Sequence, residues 1–121
     1  MAKPIIRTLL ALFFFTAGLC HFVFDAAFAR IVPPALPYPL AIVWATGVME
    51  VAFAAALLQR RQLRWVGWLL CAYLLAVLPA NIHMALTGMA LGPLGASEAV
   101  LWGRAALQFP LIALVFWATS P

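Results

Sequence analysis

The amino-acid sequence predicts an all-α integral membrane protein, folded as a four-helix bundle with up-down-up-down topology. Of its 121 residues, 68% are apolar and 8% are charged, whereas a soluble domain is about 45–50% apolar and about 25% charged. Four apolar stretches reach the length of about 20 residues that a helix needs to cross a bilayer. Short links between them favour antiparallel neighbours. This composition excludes a soluble enzyme, a nucleic-acid-binding protein and a disordered chain, despite the net charge of +4.

The predicted spans form one transmembrane domain, residues 1–121, and cover residues 5–24, 40–58, 65–86 and 99–119. Small residues let helix backbones approach closely in membranes, so they predict the packing seams: Ala17, Gly18, Gly47 and the run from Ala52 to Ala56. Four prolines predict an extended, polyproline-like loop after the first span: Pro33, Pro34, Pro37 and Pro39. Turn residues break the chain after the third span: Gly88, Gly92, Pro93 and Gly95.

Positive charges predict the orientation, because cytoplasmic loops carry an excess of Lys and Arg. Five of the seven cations flank one side of the predicted bundle: Lys3, Arg7, Arg60, Arg61 and Arg64. Both termini are therefore expected to be cytoplasmic, in a bacterial inner membrane. Trp65 and Trp117 would lie in the inner aromatic belt, and Tyr38 and Trp102 in the outer belt. A cleaved signal peptide is disfavoured, because the first apolar stretch exceeds the usual length of about 7–15 residues.

Polar residues inside a membrane are expensive and therefore indicate a functional site. Glu50 lies about 15 Å into the second span, near the midplane, at a rise of 1.5 Å per residue. The other polar groups lie towards the outer ends of the remaining three spans: His21, Asn81, His83, Arg104 and Gln108. Together these six residues predict a polar pocket in the outer half of the bundle, suited to ligand binding or proton exchange.

Each of these residues also has a structural interpretation. Hydrogen bonding between helices is favoured over ligand contact for Asn81 and Gln108. Pro79 and Pro110 free the carbonyls of residues 75 and 106, which those amides are placed to satisfy.

Three ionisable groups have structural alternatives as well. His21 has Asp25 one turn further along the same face. Arg104 is able to reach the outer surface or pair with Glu98. Glu50 has too short a stem to reach the headgroups, so it is protonated, paired with Arg104 or a histidine, or exposed to an internal cavity.

Disulfide and metal chemistry are disfavoured. Cys20 and Cys71 differ in depth by about 14 Å, whereas a disulfide tolerates Cα separations only to about 7 Å. His21 and His83 have comparable depths on two helices, but neither belongs to an attachment motif, so a haem or metal site is not expected.

Several motifs resemble those of small DoxX-like membrane proteins. The first two are Ala17-Gly18-x-x-His21-Phe22 and Arg30-Ile31-Val32-Pro33-Pro34-x-Leu36-Pro37. The second and third spans continue the match with Gly47-x-x-Glu50 and with Pro79-Ala80-Asn81-Ile82-His83-Met84-Ala85-Leu86. In the fourth span, Arg104-x-x-x-Gln108 is similar to the family's Arg-Leu-Pro-Leu-Gln signature, although Ala105 and Ala106 replace Leu-Pro. The resemblance covers roughly residues 14–117.

The resemblance implies a four-helix membrane fold and points to the same six polar residues. It also implies, by analogy, a redox association, because the family takes its name from a membrane subunit of a thiosulfate:quinone oxidoreductase. Other relatives assist redox-protein maturation or receptor assembly. Several of these roles are non-enzymatic, so the chain is not expected to be an enzyme on its own.

Three functions follow as hypotheses. The first is a redox-associated accessory subunit that binds a quinone-like or other amphipathic small molecule. The second is a non-catalytic assembly or interaction module that packs against a membrane protein partner. The third is a proton-coupled transporter, which with four spans per subunit would require a homo-oligomer.

Overall fold

The computed structural model describes residues 2–87 and 98–121, and helices account for nearly all of them. The elements are α1 (Ala2–Val23), α2 (Asp25–Ile31), α3 (Pro39–Gln59), α4 (Leu63–Thr87), α5 (Glu98–Ala106) and α6 (Gln108–Thr119). Four stretches are long and apolar enough to cross a membrane, with α5 and α6 together forming the fourth. The all-helical class and the four spans are therefore confirmed. The predicted break at residues 88–95 lies outside the described residues.

The helix ends lie within three residues of the predicted span ends. The sequence predicted an extended loop directly after the first span. This prediction is wrong, because the chain forms a further short helix before it turns. It stays helical through α2, and only then turns, with the Leu36 N–H donating to the Pro33 carbonyl at 3.0 Å. Three alanines among the seven residues of α2 favour helix. Pro33 restricts only the residue before it, and Val32 is accordingly extended at φ −66°, ψ 131°.

The two prolines within the spans have different effects. α4 continues through Pro79 to Thr87 as one helix. The fourth span is interrupted at Leu107, three residues before Pro110, whose ring nitrogen has no hydrogen to donate to the Ala106 carbonyl. The interruption is small, because Leu107 still donates to Gly103 at 2.9 Å and accepts from Leu111 at 3.1 Å.

Glycines form the two closest seams of the bundle. α1 packs most extensively on α3, and a Cβ on Gly18 would lie 2.8 Å from Val51 Cγ2 and 2.9 Å from the Gly47 oxygen. α4 packs on α6, where a Cβ on Gly67 would lie 2.8 Å from Thr119 Cβ. The predicted seam at Gly18 and Gly47 is therefore confirmed. In the neighbouring alanine run, Ala54 is buried, whereas Ala52 and Ala55 face outward.

A core of large apolar side chains fills the half of the bundle that holds the α3–α4 turn: Leu10, Phe14, Leu57, Leu70 and Val115. Many other large apolar side chains point away from the bundle, as is required of a surface in contact with lipid. Among them are the four belt residues, Trp65, Trp117, Tyr38 and Trp102, which are all exposed.

The first turns of α1 hold the end of α6. Lys3 Nζ donates to the Ser120 and Pro121 carbonyls at 3.1 and 3.0 Å, and Arg7 Nη1 donates to the Ala118 carbonyl at 2.8 Å. Cations are favourable at the carbonyl end of a helix. Both ends of the chain therefore lie at one end of the bundle; that this end is cytoplasmic stays a prediction.

Candidate ligand site at the centre of the bundle

A carboxyl group, an imidazole and a phenol from three helices meet at the centre of the bundle. The Tyr73 hydroxyl of α4 donates to Glu50 Oε1 of α3 at 2.9 Å. His21 Nδ1 of α1 lies 3.4 Å from Glu50 Oε2. Glu50 and Tyr73 are 7% and 5% exposed, and His21 is 9% exposed. We call these three residues the polar triad.

Tyr73 is the member of the triad that the sequence analysis missed. α3 and α4 form a helical hairpin around a short turn at Arg61, and Glu50 and Tyr73 lie eleven residues before and twelve residues after it. Residues equally far from such a turn lie at the same depth on antiparallel helices. A buried tyrosine also needs a partner for its hydroxyl. These two signals together would have paired Tyr73 with Glu50.

Glu50 has one satisfied and one unsatisfied oxygen. Oε1 accepts the Tyr73 hydroxyl. Oε2 is buried and has no hydrogen-bond donor among the described residues, since the contact with His21 Nδ1 is longer and that nitrogen is engaged elsewhere. Buried polar groups are nearly always hydrogen-bonded, so a buried acceptor without a donor calls for an explanation. The orphaned oxygen therefore marks Glu50 Oε2 as the candidate point of contact for a ligand.

The contacts of His21 define which ring nitrogen carries hydrogen. Nδ1 lies 2.7 Å from the Ala17 carbonyl of the preceding turn. Two acceptors do not approach so closely, so Nδ1 carries a hydrogen and donates it to that carbonyl. The ring stacks on Phe28 of α2, with centroids 4.3 Å apart. Nε2 is thus the ring nitrogen that is left to exchange a proton or to contact a ligand.

Asp25 is not the partner of His21 that the sequence offered as an alternative. Its Oδ2 instead accepts the indole N–H of Trp44 at 3.2 Å, and Oδ1 accepts the backbone N–H of Ala26 at 2.8 Å. The second bond places Asp25 at the start of α2, where a carboxylate favours the positive end of the helix dipole. His21 is thereby left to face Glu50.

Asn81 and Gln108 form a second network that joins α4 to α6. Asn81 Nδ2 donates to Gln108 Oε1 at 2.7 Å, and Gln108 Nε2 donates to the Leu74 carbonyl at 3.1 Å. The predicted hydrogen bonding between helices is therefore present. Gln108 thus hydrogen-bonds the Leu74 carbonyl. The next carbonyl along the chain, that of Leu75, has no helical donor because Pro79 lacks an N–H. Leu74 follows Tyr73 directly, so the amide network borders the polar triad.

The two other predicted site residues are Arg104 and His83. Arg104 is exposed, and its Nη1 lies 3.9 Å from Met84 Sδ. It interacts with Glu50 electrostatically, although within the described residues no ion pair joins them. His83 is half-buried on α4, two residues beyond Asn81. The alternative partner of Arg104, the Glu98 side chain, lies outside the described residues.

Cys20 and Cys71 are both free. Across residues 2–87 and 98–121, no three His, Cys, Asp or Glu side chains come together as a metal site would require.

The polar triad is therefore a packed polar centre; that the six predicted residues form one pocket in the outer half of the bundle stays a prediction. Glu50 and Tyr73 are each about halfway along a helix of more than 20 residues, whereas His21 lies two residues before the end of α1. Such a centre can hold a proton on either the carboxyl group or the imidazole, and it can offer a hydrogen-bond acceptor to a polar head group.

Comparison with known sequences gives a match to a protein family. Residues 10–120 match the family described as a domain of unknown function (DUF8561). Neither curated proteins nor solved structures give a match.

Proposed function

The chain belongs to the DUF8561 family, and we propose that it is a membrane-embedded accessory subunit of a redox system that binds a quinone-like amphipathic molecule at the polar triad. In this proposal the protein lies in a bacterial inner membrane with both termini in the cytoplasm. The ring of the ligand contacts Glu50 and His21, and its tail lies among the apolar side chains of the spans. The chain supplies binding and proton exchange and is not an enzyme on its own.

One observation carries the proposal: the unsatisfied Glu50 Oε2, buried at the centre of four apolar helices. An unpaired buried acceptor costs about 1–3 kcal/mol, and more when it is charged. The amides of Asn81 and Gln108 are hydrogen-bonded within the bundle, whereas Arg7 Nε, at the opposite end of α1 from His21, is the other buried polar atom without a partner among the described residues. A ligand that brings one donor into the site would remove the cost.

The resemblance to DoxX-like proteins supports the redox association. His21 and Glu50 both lie within motifs that carry it, and the structure brings these two side chains together. The analogy concerns sequence motifs, so the chemistry of the ligand is argued from the site.

Access to the site would be through the seam between α3 and α4. This seam is the least extensive of the contacts between neighbouring spans. It is bridged by the Glu50–Tyr73 hydrogen bond and by the tilted rings of Phe53 and Tyr73, with centroids 5.7 Å apart. A planar ring from the bilayer would have to displace only side chains there, rather than separate two close-packed backbones.

The test is whether the purified protein carries and binds such a molecule. Protein in mild detergent is extracted with organic solvent and analysed by mass spectrometry, and decylubiquinone is titrated against the quenching of tryptophan fluorescence. Wild-type protein and the control Asp25→Leu, which removes a carboxyl group that contacts Trp44 and Ala26 instead of the triad, should bind. Glu50→Leu should lose at least about tenfold in affinity, the value of one hydrogen bond to a charged group. Far-UV circular dichroism checks that Glu50→Leu is folded.

The proposal is wrong if folded wild-type protein binds neither the oxidised nor the reduced form and carries no ring-bearing amphipathic molecule. It is also wrong if Glu50→Leu binds as tightly as Asp25→Leu.

An assembly module is the second candidate. The amide network is satisfied within the bundle and serves as internal glue, while the outward faces carry many large apolar side chains. Cross-linking in native membranes should then trap one specific membrane protein in addition to self-adducts. Finding self-adducts alone would refute this candidate.

A further inference from the structure

We infer that the protein binds the phosphate of an anionic phospholipid at Arg64, in a recess between α4 and α6 at the end of the bundle that holds the α3–α4 turn. No residue of the polar triad takes part, so this site goes beyond the proposed function.

The recess is shallow and lies beside the last turn of α6. Its lining residues are Arg64, Trp68, Phe116, Thr119 and Ser120. The rings of Trp68 and Phe116 pack edge to face with centroids 5.6 Å apart, and both side chains are exposed. Near the ends of membrane spans, such exposed aromatic side chains lie at the level of the lipid headgroups. The recess therefore places a cation next to a surface that lipid covers.

Arg64 is the lining residue with hydrogen bonds left to donate. Thr119 Oγ1 donates to the Val115 carbonyl at 2.8 Å. Ser120 Oγ donates to the Trp117 carbonyl at 2.7 Å, and a hydroxyl has only one hydrogen. Arg64 is exposed, and within the described residues no hydrogen bond or ion pair holds its guanidinium. That group is a planar fork of N–H donors, which matches two oxygens of a phosphate.

The charges around Arg64 also favour an anion. Arg60 and Arg61 lie in the adjoining turn and are exposed. The sequence has three acidic residues. Two of them begin α2 and α5, at the opposite end of the bundle, and Glu50 is about halfway along α3. The sequence therefore provides no acidic side chain at this end to neutralise the arginines.

The carbonyl end of α6 would by itself repel a phosphate, because the helix dipole is negative there. Lys3 and Arg7 of α1 offset this charge, since they donate to carbonyls of the last turn of α6 and of the two residues after it. Arg64 lies in the first turn of α4, where the dipole is positive. The two helix ends therefore leave the attraction of Arg64 for an anion intact.

A phospholipid fits these surroundings better than free phosphate does. With the phosphate at Arg64, an acyl chain would cover the exposed rings of Trp68 and Phe116, which free phosphate would leave in contact with other lipids. An anionic headgroup fits better than phosphatidylcholine, because the neighbouring arginines would repel the choline ammonium group.

The experiment uses native mass spectrometry to measure binding of the first lipid to delipidated protein in detergent. Wild-type protein should bind dioleoyl phosphatidylglycerol at least about fivefold more tightly than dioleoyl phosphatidylcholine. Arg64→Gln should lose about fivefold in affinity for phosphatidylglycerol, which corresponds to about 1 kcal/mol for one arginine at an anionic surface. Arg60→Gln should lose less, because Arg60 does not line the recess. The matched control Arg30→Gln removes an exposed arginine at the end of α2 and should bind as wild type does.

Three results would overturn the inference. The first is equal affinity of wild-type protein for the two lipids, a comparison that requires no variant. The second is an equal loss in Arg64→Gln and Arg60→Gln, because diffuse charge rather than the recess would then attract the lipid. The third is displacement of the lipid by inorganic phosphate beyond that caused by potassium chloride of equal ionic strength, which would indicate a site for free phosphate. Each of them leaves quinone binding at the polar triad untouched, since that proposal is tested with another ligand and another variant.

Discussion

The hydrogen bond between Tyr73 and Glu50 offers a sharp test of the buried triad. Tyr73→Phe removes one hydroxyl and keeps the ring, so the contact with Phe53 at 5.7 Å is preserved. Oε1 would then lose its donor. Since Oε2 already lacks one, a carboxyl group with two unsatisfied oxygens would be left in the centre of the bundle.

The expected loss in the free energy of unfolding is about 1–2 kcal/mol. Leaving a buried acceptor without its donor costs about 1–3 kcal/mol in general. Hydrogen bonds between membrane helices are weaker, at about 0.6 kcal/mol on average and about 1.7 kcal/mol at most. The triad should lie towards the upper end of the membrane values, because its acceptor is a carboxyl group and the bond is short at 2.9 Å.

The assay is reversible unfolding in mixed micelles with an increasing fraction of sodium dodecyl sulfate, followed by far-UV circular dichroism. Tyr38→Phe is the matched control, because Tyr38 is 79% exposed and lies outside the site. The same two variants are then measured in a Glu50→Leu background. There Tyr73→Phe should cost nothing or stabilise the protein, because the hydroxyl has already lost its acceptor.

Two results would refute this reasoning. One is a cost of Tyr73→Phe that equals that of Tyr38→Phe. The other is an equal cost of Tyr73→Phe with and without Glu50, because the hydroxyl would then act through something other than the carboxyl group.

Three further predictions concern the packing of the bundle and use the same unfolding assay. Gly67→Ala should destabilise the protein relative to Gly103→Ala by about 1–3 kcal/mol, since a Cβ at Gly67 clashes with Thr119 and one at Gly103 meets nothing within 4 Å; equal effects would contradict the close α4–α6 seam. Gln108→Leu should cost about 1–3 kcal/mol, because it leaves the Leu74 carbonyl and the Asn81 amide unpaired; a stabilised variant would contradict this. Lys3→Met should cost about 0.3–1 kcal/mol at low salt by removing a cation from the end of α6; a cost unaffected by salt would argue for lost packing instead.

The sequence by itself determined the class of the protein and the positions of its spans. Both follow from properties that can be read along the sequence, namely the scarcity of charge and the length of each apolar run. The bilayer imposes both properties on any chain that crosses it. The seam at Gly18 and Gly47 was also readable, because only small residues allow two helix backbones to approach closely. That Asn81 and Gln108 would hydrogen-bond between helices followed from the cost of leaving polar groups unpaired in lipid.

Only the tertiary structure decided which polar groups meet. Each span is apolar on all of its faces, so the sequence pattern does not show which face of the helix is turned inward. The rotation of a helix about its own axis is set by packing against its neighbours. That rotation turned Glu50 towards His21 and Tyr73 rather than towards Arg104. It also placed Asp25 where its carboxylate accepts a hydrogen bond from Trp44. It also left Glu50 Oε2 without a donor among residues 2–87 and 98–121, a property of three helices together that no single span contains.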